Sequence, residues 1–228
     1  MGSIFIRVVA LSSLFFISGC SKKGGPKVKI ENNSETPIPP KFHKLDKLFV
    51  TGDFDGDKVT DTIFQYNYST FKKAEITYAP DPMQIDWENV VKWFDKQDSD
   101  LRLSSSLKNT DILHLGTAQG LYCLINIGDT NNDGKDEIAF VVDECDFSNV
   151  NNCLVYSLCN GKWFLAKQFG IYEAAFSWEG DTAPKFMAIK GFLEKQSNVW
   201  KYSDYSQNGY DSSEKAGQMQ VLKATNCQ

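Results

Sequence analysis

Two segments of this chain repeat one pattern closely enough to restrict its fold more than any other feature does. They are Gly52-Asp53-Phe54-Asp55-Gly56-Asp57-Lys58-Val59-Thr60-Asp61-Thr62-Ile63-Phe64 and Gly128-Asp129-Thr130-Asn131-Asn132-Asp133-Gly134-Lys135-Asp136-Glu137-Ile138-Ala139-Phe140. Counted from the first aspartate, each carries an oxygen-bearing side chain at positions 1, 3, 5 and 9. These are Asp53, Asp55, Asp57 and Asp61 in the first segment, and Asp129, Asn131, Asp133 and Glu137 in the second. Alternate residues of a tight loop turn inward, and a cation of calcium size takes six to eight oxygens at about 2.3 to 2.6 Å. The backbone carbonyls of Val59 and Lys135, at position 7, add one ligand each, and Gly56 and Gly134 allow the sharp turn.

A polar turn rich in Asp and Asn needs no metal. Two copies that agree at the leading glycine, at positions 1, 5 and 9 and at the Phe of position 12 favour calcium at both loops. Without a cation, carboxylates gathered this closely repel one another. An EF-hand requires a bidentate Glu at position 12 and flanking helices. Here position 12 is Phe64 or Phe140 and the flanks are strand-like. The segments instead resemble the FG-GAP and VCBS-type repeats of β-propeller proteins, in which strand, Asp-rich calcium loop and strand form part of a blade. The resemblance covers roughly residues 46–70 and 120–145, and implies two structural calcium ions. Family repeats recur at shorter intervals than the 76 residues separating Asp53 from Asp129. A third segment, Asp204 to Gly209, keeps the loop rhythm with one carboxylate and reads as a lapsed or accidental copy.

Runs rich in β-branched and aromatic residues predict strands: 47–51, 62–68, 74–78, 112–115, 121–127, 138–142, 154–158, 163–168, 174–178, 186–192 and 199–202. Asn160-Gly161 predicts a two-residue hairpin turn, and Thr62, Phe64, Tyr66 and Tyr68 predict one buried strand face. Trp87, Val90, Val91 and Phe94 recur at helical spacing behind Asp86, which predicts a helix over 87–96 with Asp86 as N-cap. The expected fold is mainly β, with antiparallel sheets in propeller-like blades, complete or incomplete, and one short helix.

At the N-terminus, Arg7, the apolar run Val8 to Ile17 and Ile17-Ser18-Gly19-Cys20 resemble a bacterial lipoprotein signal. The resemblance implies lipidation of Cys20 and an extracytoplasmic place on the cell envelope, since more than one acyl chain gives stable anchoring. The expected organisation is a signal peptide over 1–19, a tether over 20–45 and one calcium-binding β domain over 46–228. In such a compartment cysteines tend to pair. Cys145 and Cys153 bracket a polar loop and form the best candidate disulfide, the alternative being buried thiols.

The net charge of -5, with no basic run beyond Lys22, Lys23 and Lys27, excludes a nucleic-acid footprint. The expected partners are the membrane, through the lipid, and a protein or glycan bound without catalysis. The competing function is a glycan-active hydrolase or lyase, for which Glu173, Glu179 and Asp181 near Trp178 offer an acid pair beside an aromatic ring. Neither His43 nor His114 assembles into a nucleophilic triad.

Overall fold

The structure, a computed structural model, describes residues 41–176, 187–208 and 218–227. In chain order the elements are β1 (Phe42–Lys44), β2 (Phe49–Gly52), β3 (Asp61–Ser69), β4 (Ala74–Ile76), β5 (Tyr78–Pro80), α1 (Trp87–Lys96), β6 (Ser99–Ser105) and β7 (Leu113–His114). They continue with β8 (Ala118–Gly128), β9 (Glu137–Glu144), β10 (Val150–Cys159), β11 (Lys162–Tyr172), β12 (Leu193–Gln196), β13 (Val199–Tyr202) and β14 (Gln220–Val221).

The protein is mainly β, built from antiparallel sheets, none of them closed into a barrel. Strands β2, β3, β6 and β7 form one sheet in that order, with β4 sharing an edge of β3 with β2. Strands β8 to β11 form a second sheet in sequence order, and β12 to β14 a third. The second sheet is the centre of the body. One of its faces packs Leu121, Leu124, Ile138 and Phe140 against Leu48, Phe54, Ile63 and Leu103 of the first sheet region. The other packs Ile125, Val141, Val155 and Phe169 against Leu193, Trp200 and Tyr202 of the third. Cover on both faces explains why β9 is buried without interruption from Glu137 to Val142, and hence why 138–142 reads as an unbroken apolar run.

The helix occupies the expected residues and buries Val90 and Phe94 against Leu45, Ile76 and Ala79. Asp86 sits at its N-cap, but its side chain makes no capping bond; its carbonyl instead accepts from the Asn89 and Val90 amides. Asn160 and Gly161 form the hairpin turn between β10 and β11 with φ of 52° and 79°, the left-handed pair that such a turn requires.

Other expectations are corrected. The tether does not run to residue 45, because Phe42–Lys44 pairs with β5 and Leu45 is buried. The strand expected over 74–78 is two, β4 and β5. Residues Glu173–Ala175 form a short 3-10 turn, and within 187–192 only Ile189 makes a β-bridge, to Leu193. The remainder of the expected strands 174–178 and 186–192, namely 177, 178 and 186, lies outside the described residues.

The aromatic face of β3 is also not the buried one. Asp61, Ile63, Gln65, Asn67 and Ser69 point inward, while Phe64 is 39% exposed. Inward donors find acceptors: the Asn67 amide donates to the Ala118 and Gln119 carbonyls at 2.9 and 3.0 Å, and the Ser69 hydroxyl to the Gln97 carbonyl at 2.7 Å. Outside, Arg102 stacks 3.8 Å from the Tyr68 ring centroid.

The disulfide among the described residues joins Cys159 to Cys227, not Cys145 to Cys153. Cys153 lies opposite Val141 in the β9–β10 register, so Cys145 is displaced by four residues, about 13 Å of strand. Cys153 is buried between the second and third sheets, whereas Cys145 packs beside the helix. Separate cores keep the two thiols apart.

Candidate metal sites

Each Asp-rich segment is the connection between the first two strands of its sheet, β2 to β3 and β8 to β9. The two loops share one backbone course. Left-handed φ values occur at positions 4 and 6 of both: 86° and 67° at Gly56 and Lys58, 62° and 87° at Asn132 and Gly134. Glycine therefore fills a different one of the two strained positions in each loop, and the other is tolerated by Lys58 or Asn132.

Side-chain carboxylates hold this course by accepting loop amides. Asp53 accepts from Gly56 and Lys58 at 2.8 and 2.9 Å, and Asp57 from Val59 at 2.7 Å. Asp129 accepts from Asp133 and Gly134 at 3.1 and 2.9 Å, and Asp133 from Lys135 at 3.0 Å. Val59 and Lys135 thus enter the structure as amide donors to the position-5 acid. Ligand atoms of Asp53, Asp55 and Asp57 lie within 4.8 Å of one another, as do those of Asp129, Asp133 and Glu137. Asn131, at position 3 of the second loop, bonds Asp133 through its amide nitrogen at 3.3 Å.

The position-9 acids differ from the rest in being buried. Asp61 accepts the position-2 amide of Phe54 at 3.2 Å. Glu137, fully buried, accepts both the amide and the hydroxyl of Thr130 at 2.7 Å, and the Ser157 hydroxyl at 3.2 Å. Burial raises the pKa of both, and neighbouring carboxylates push in the same direction: Asp55, Asp57 and Asp53 on Asp61, Asp133 on Glu137. Asp61 is not among the three converging acids of its loop; it closes the loop's base, whereas Glu137 does both. An all-oxygen set of three carboxylates, each with lone pairs beyond those its amide partners use, fits a hard divalent cation.

Sequence reading missed the connection between the loops. The Asp136 amide donates to the Asp53 carbonyl at 2.8 Å, and the Asp53 amide donates back to the Asp136 carboxylate at 3.1 Å. The Asn126 side-chain amide ties the same carboxylate, at 2.8 Å, to the Thr51 carbonyl, at 2.9 Å. Gly52 makes this approach possible, since a Cβ there would fall on the Asn126 amide and the Asp136 carboxylate. Gly52→Ala should destabilise the protein by about 1–3 kcal/mol through this overpacking; urea unfolding with an unchanged midpoint would refute the contact.

Six residues along β9 from Glu137, about 20 Å of strand, a second acidic group surrounds Tyr122. Its hydroxyl donates to Glu173 at 3.2 Å and also bonds Asp143, and its ring stacks on Phe176 at 4.5 Å. Trp178, Glu179 and Asp181 lie outside the described residues. Burial, then the Glu173 charge, pushes Asp143 up to about 7. A raised carboxyl pKa means the native state holds the proton more tightly than the unfolded chain. Stability conferred at low pH is therefore lost as pH rises from about 4 to 7. Asp143→Asn should flatten that fall, read as melting temperature across pH 4–8; an unaltered slope would contradict it.

A scan against protein-family models found no match, and searches of curated proteins and of solved structures found none.

Proposed function

We propose that the protein is a lipid-anchored, extracytoplasmic calcium-binding β module that acts by binding a protein or glycan, without catalysis. The observation that carries this reading is the pair of loops with one backbone course. Each gathers three acids within 4.8 Å at the mouth of its sheet, and the two are bonded to each other through Asp53 and Asp136. Calcium here ties strands together and gives the acids a counter-charge. The resemblance to FG-GAP and VCBS-type repeats supports the same reading through sequence. Its direct test is calcium titration calorimetry on the mature chain, with about two ions expected; a flat titration would end it.

Membrane attachment falls to Cys20, which lies outside the described residues. No helix among the described residues is long and apolar enough to cross a membrane. Cys20→Ser should abolish acyl labelling and move the protein from the membrane to the soluble fraction, whereas retained labelling would dismiss the anchor.

A further inference from the structure

Between the second Asp-rich loop and residues 223–227 lies an open cleft of about 520 Å³, within the size range of small-ligand sites. Its far wall is fixed on alternate residues. Leu222 and Ala224 are buried, and the Leu222 amide donates to the Trp200 carbonyl at 2.8 Å. The Ala224 amide reaches the Thr130 hydroxyl at 3.4 Å, and the Thr225 hydroxyl the Ala166 carbonyl at 3.0 Å. Cys227 is held by its disulfide. Lys223, Thr225 and Asn226 are consequently exposed on a wall that is already in place.

The lining offers amides, hydroxyls and one ammonium among apolar stems, with Asn131 and Asn132 on the loop side and no aromatic ring. Among the described residues, Lys223 has no carboxylate partner, and the side chains of Asn132 and Asn226 make no hydrogen bond. Amides offer both donors and acceptors to a hydroxyl-rich ligand, and a lone ammonium offers a point charge to an anion. Asn131 belongs both to this cleft and to the candidate metal loop, so a cation held there adds positive charge at the cleft wall.

We infer that the cleft binds an acidic sugar, with Lys223 against its carboxylate and Asn132 and Asn226 against its hydroxyls. This rests on the glycan side of the reading above and names its ligand class. The test titrates the mature chain, in detergent micelles and millimolar calcium, with trigalacturonate and with its methyl ester. The free acid should bind, and the ester or Lys223→Gln should weaken binding by about tenfold or more, the loss of one charged contact. Asn226→Asp, outside the metal loop, should weaken it too by like-charge repulsion, with the melting temperature unchanged. Equal affinity for acid and ester, or no effect of Lys223→Gln, overturns the inference. Two calcium ions bound with no trigalacturonate binding overturns the cleft alone. Absent calcium binding overturns the loop reading, and the acid-to-ester comparison still decides the cleft.

Discussion

Saturating calcium should raise the melting temperature of this protein by about 10 °C or more, and a chelator should return it. A site that binds only the native state contributes about 2.7 kcal/mol at one hundred times Kd, so two sites supply roughly 5 kcal/mol. For a body of this size each kcal/mol moves the midpoint by about 2–4 °C. The native loops are already formed around their amide bonds, so an incoming ion would meet a prepared ring of carboxylates and would relieve the repulsion of Asp53, Asp55 and Asp57, and of Asp129, Asp133 and Glu137. Asp57→Ala and Asp133→Ala should each remove one ion from the calorimetric count. The reciprocal bonds between Asp53 and Asp136 add a finer expectation. Ordering of one loop fixes the backbone of the other, so Asp133→Ala should also weaken binding at the first loop. A melting curve indifferent to chelator, in protein stripped of metal beforehand, would remove the basis for calcium.

Breaking the Cys159–Cys227 bridge should cost about 4 kcal/mol. The bridge spans a sequence separation of 68, and the chain-entropy relation gives this value for a loop of that length. Within that loop lie β11 and the whole third sheet, which covers one face of the central sheet. The double variant Cys159→Ala, Cys227→Ala should lower the urea midpoint accordingly and expose the C-terminal segment to proteases. Cys145→Ala should leave the non-reducing gel mobility unchanged. A double variant as stable as the parent, or a bridged peptide containing Cys145 and Cys153 in a non-reduced digest, would contradict the pairing.

Much of this architecture was legible because its signals are local. Helical spacing placed α1 from Trp87 to Lys96, Asn160-Gly161 placed a hairpin, and the Asp rhythm placed both loops between strands. What stayed hidden depends on partners distant in sequence. Strand β6, Ser99-Asp-Leu-Arg-Leu-Ser-Ser, has only Leu101 and Leu103 as apolar residues and becomes a strand because it lies against β3. The link from Asp53 to Asp136 joins residues with no local relation. The disulfide was misjudged for the same reason, since spacing cannot show that Cys145 and Cys153 face different cores. That β3 is a strand with one buried face is legible in its alternation; which face is buried is not. Aromatic side chains alternate there as a buried face would, but carbonyls of Asp46, Ala118, Gln119 and Gln97, from the β1–β2 connection, β8 and the end of the helix, select Gln65, Asn67 and Ser69 instead.

That inversion bears on folding fidelity. Sliding β3 by one residue would exchange its two faces, and hydrophobicity alone would reward the error by burying Phe64, Tyr66 and Tyr68. Correct alignment is enforced by polar keys: Asn67 on β8, Gln65 on the Asp46 carbonyl at 3.1 Å, and Asp61 on the Phe54 amide. The last key belongs to the first Asp-rich loop, so whatever orders that loop also proofreads the strand that follows it.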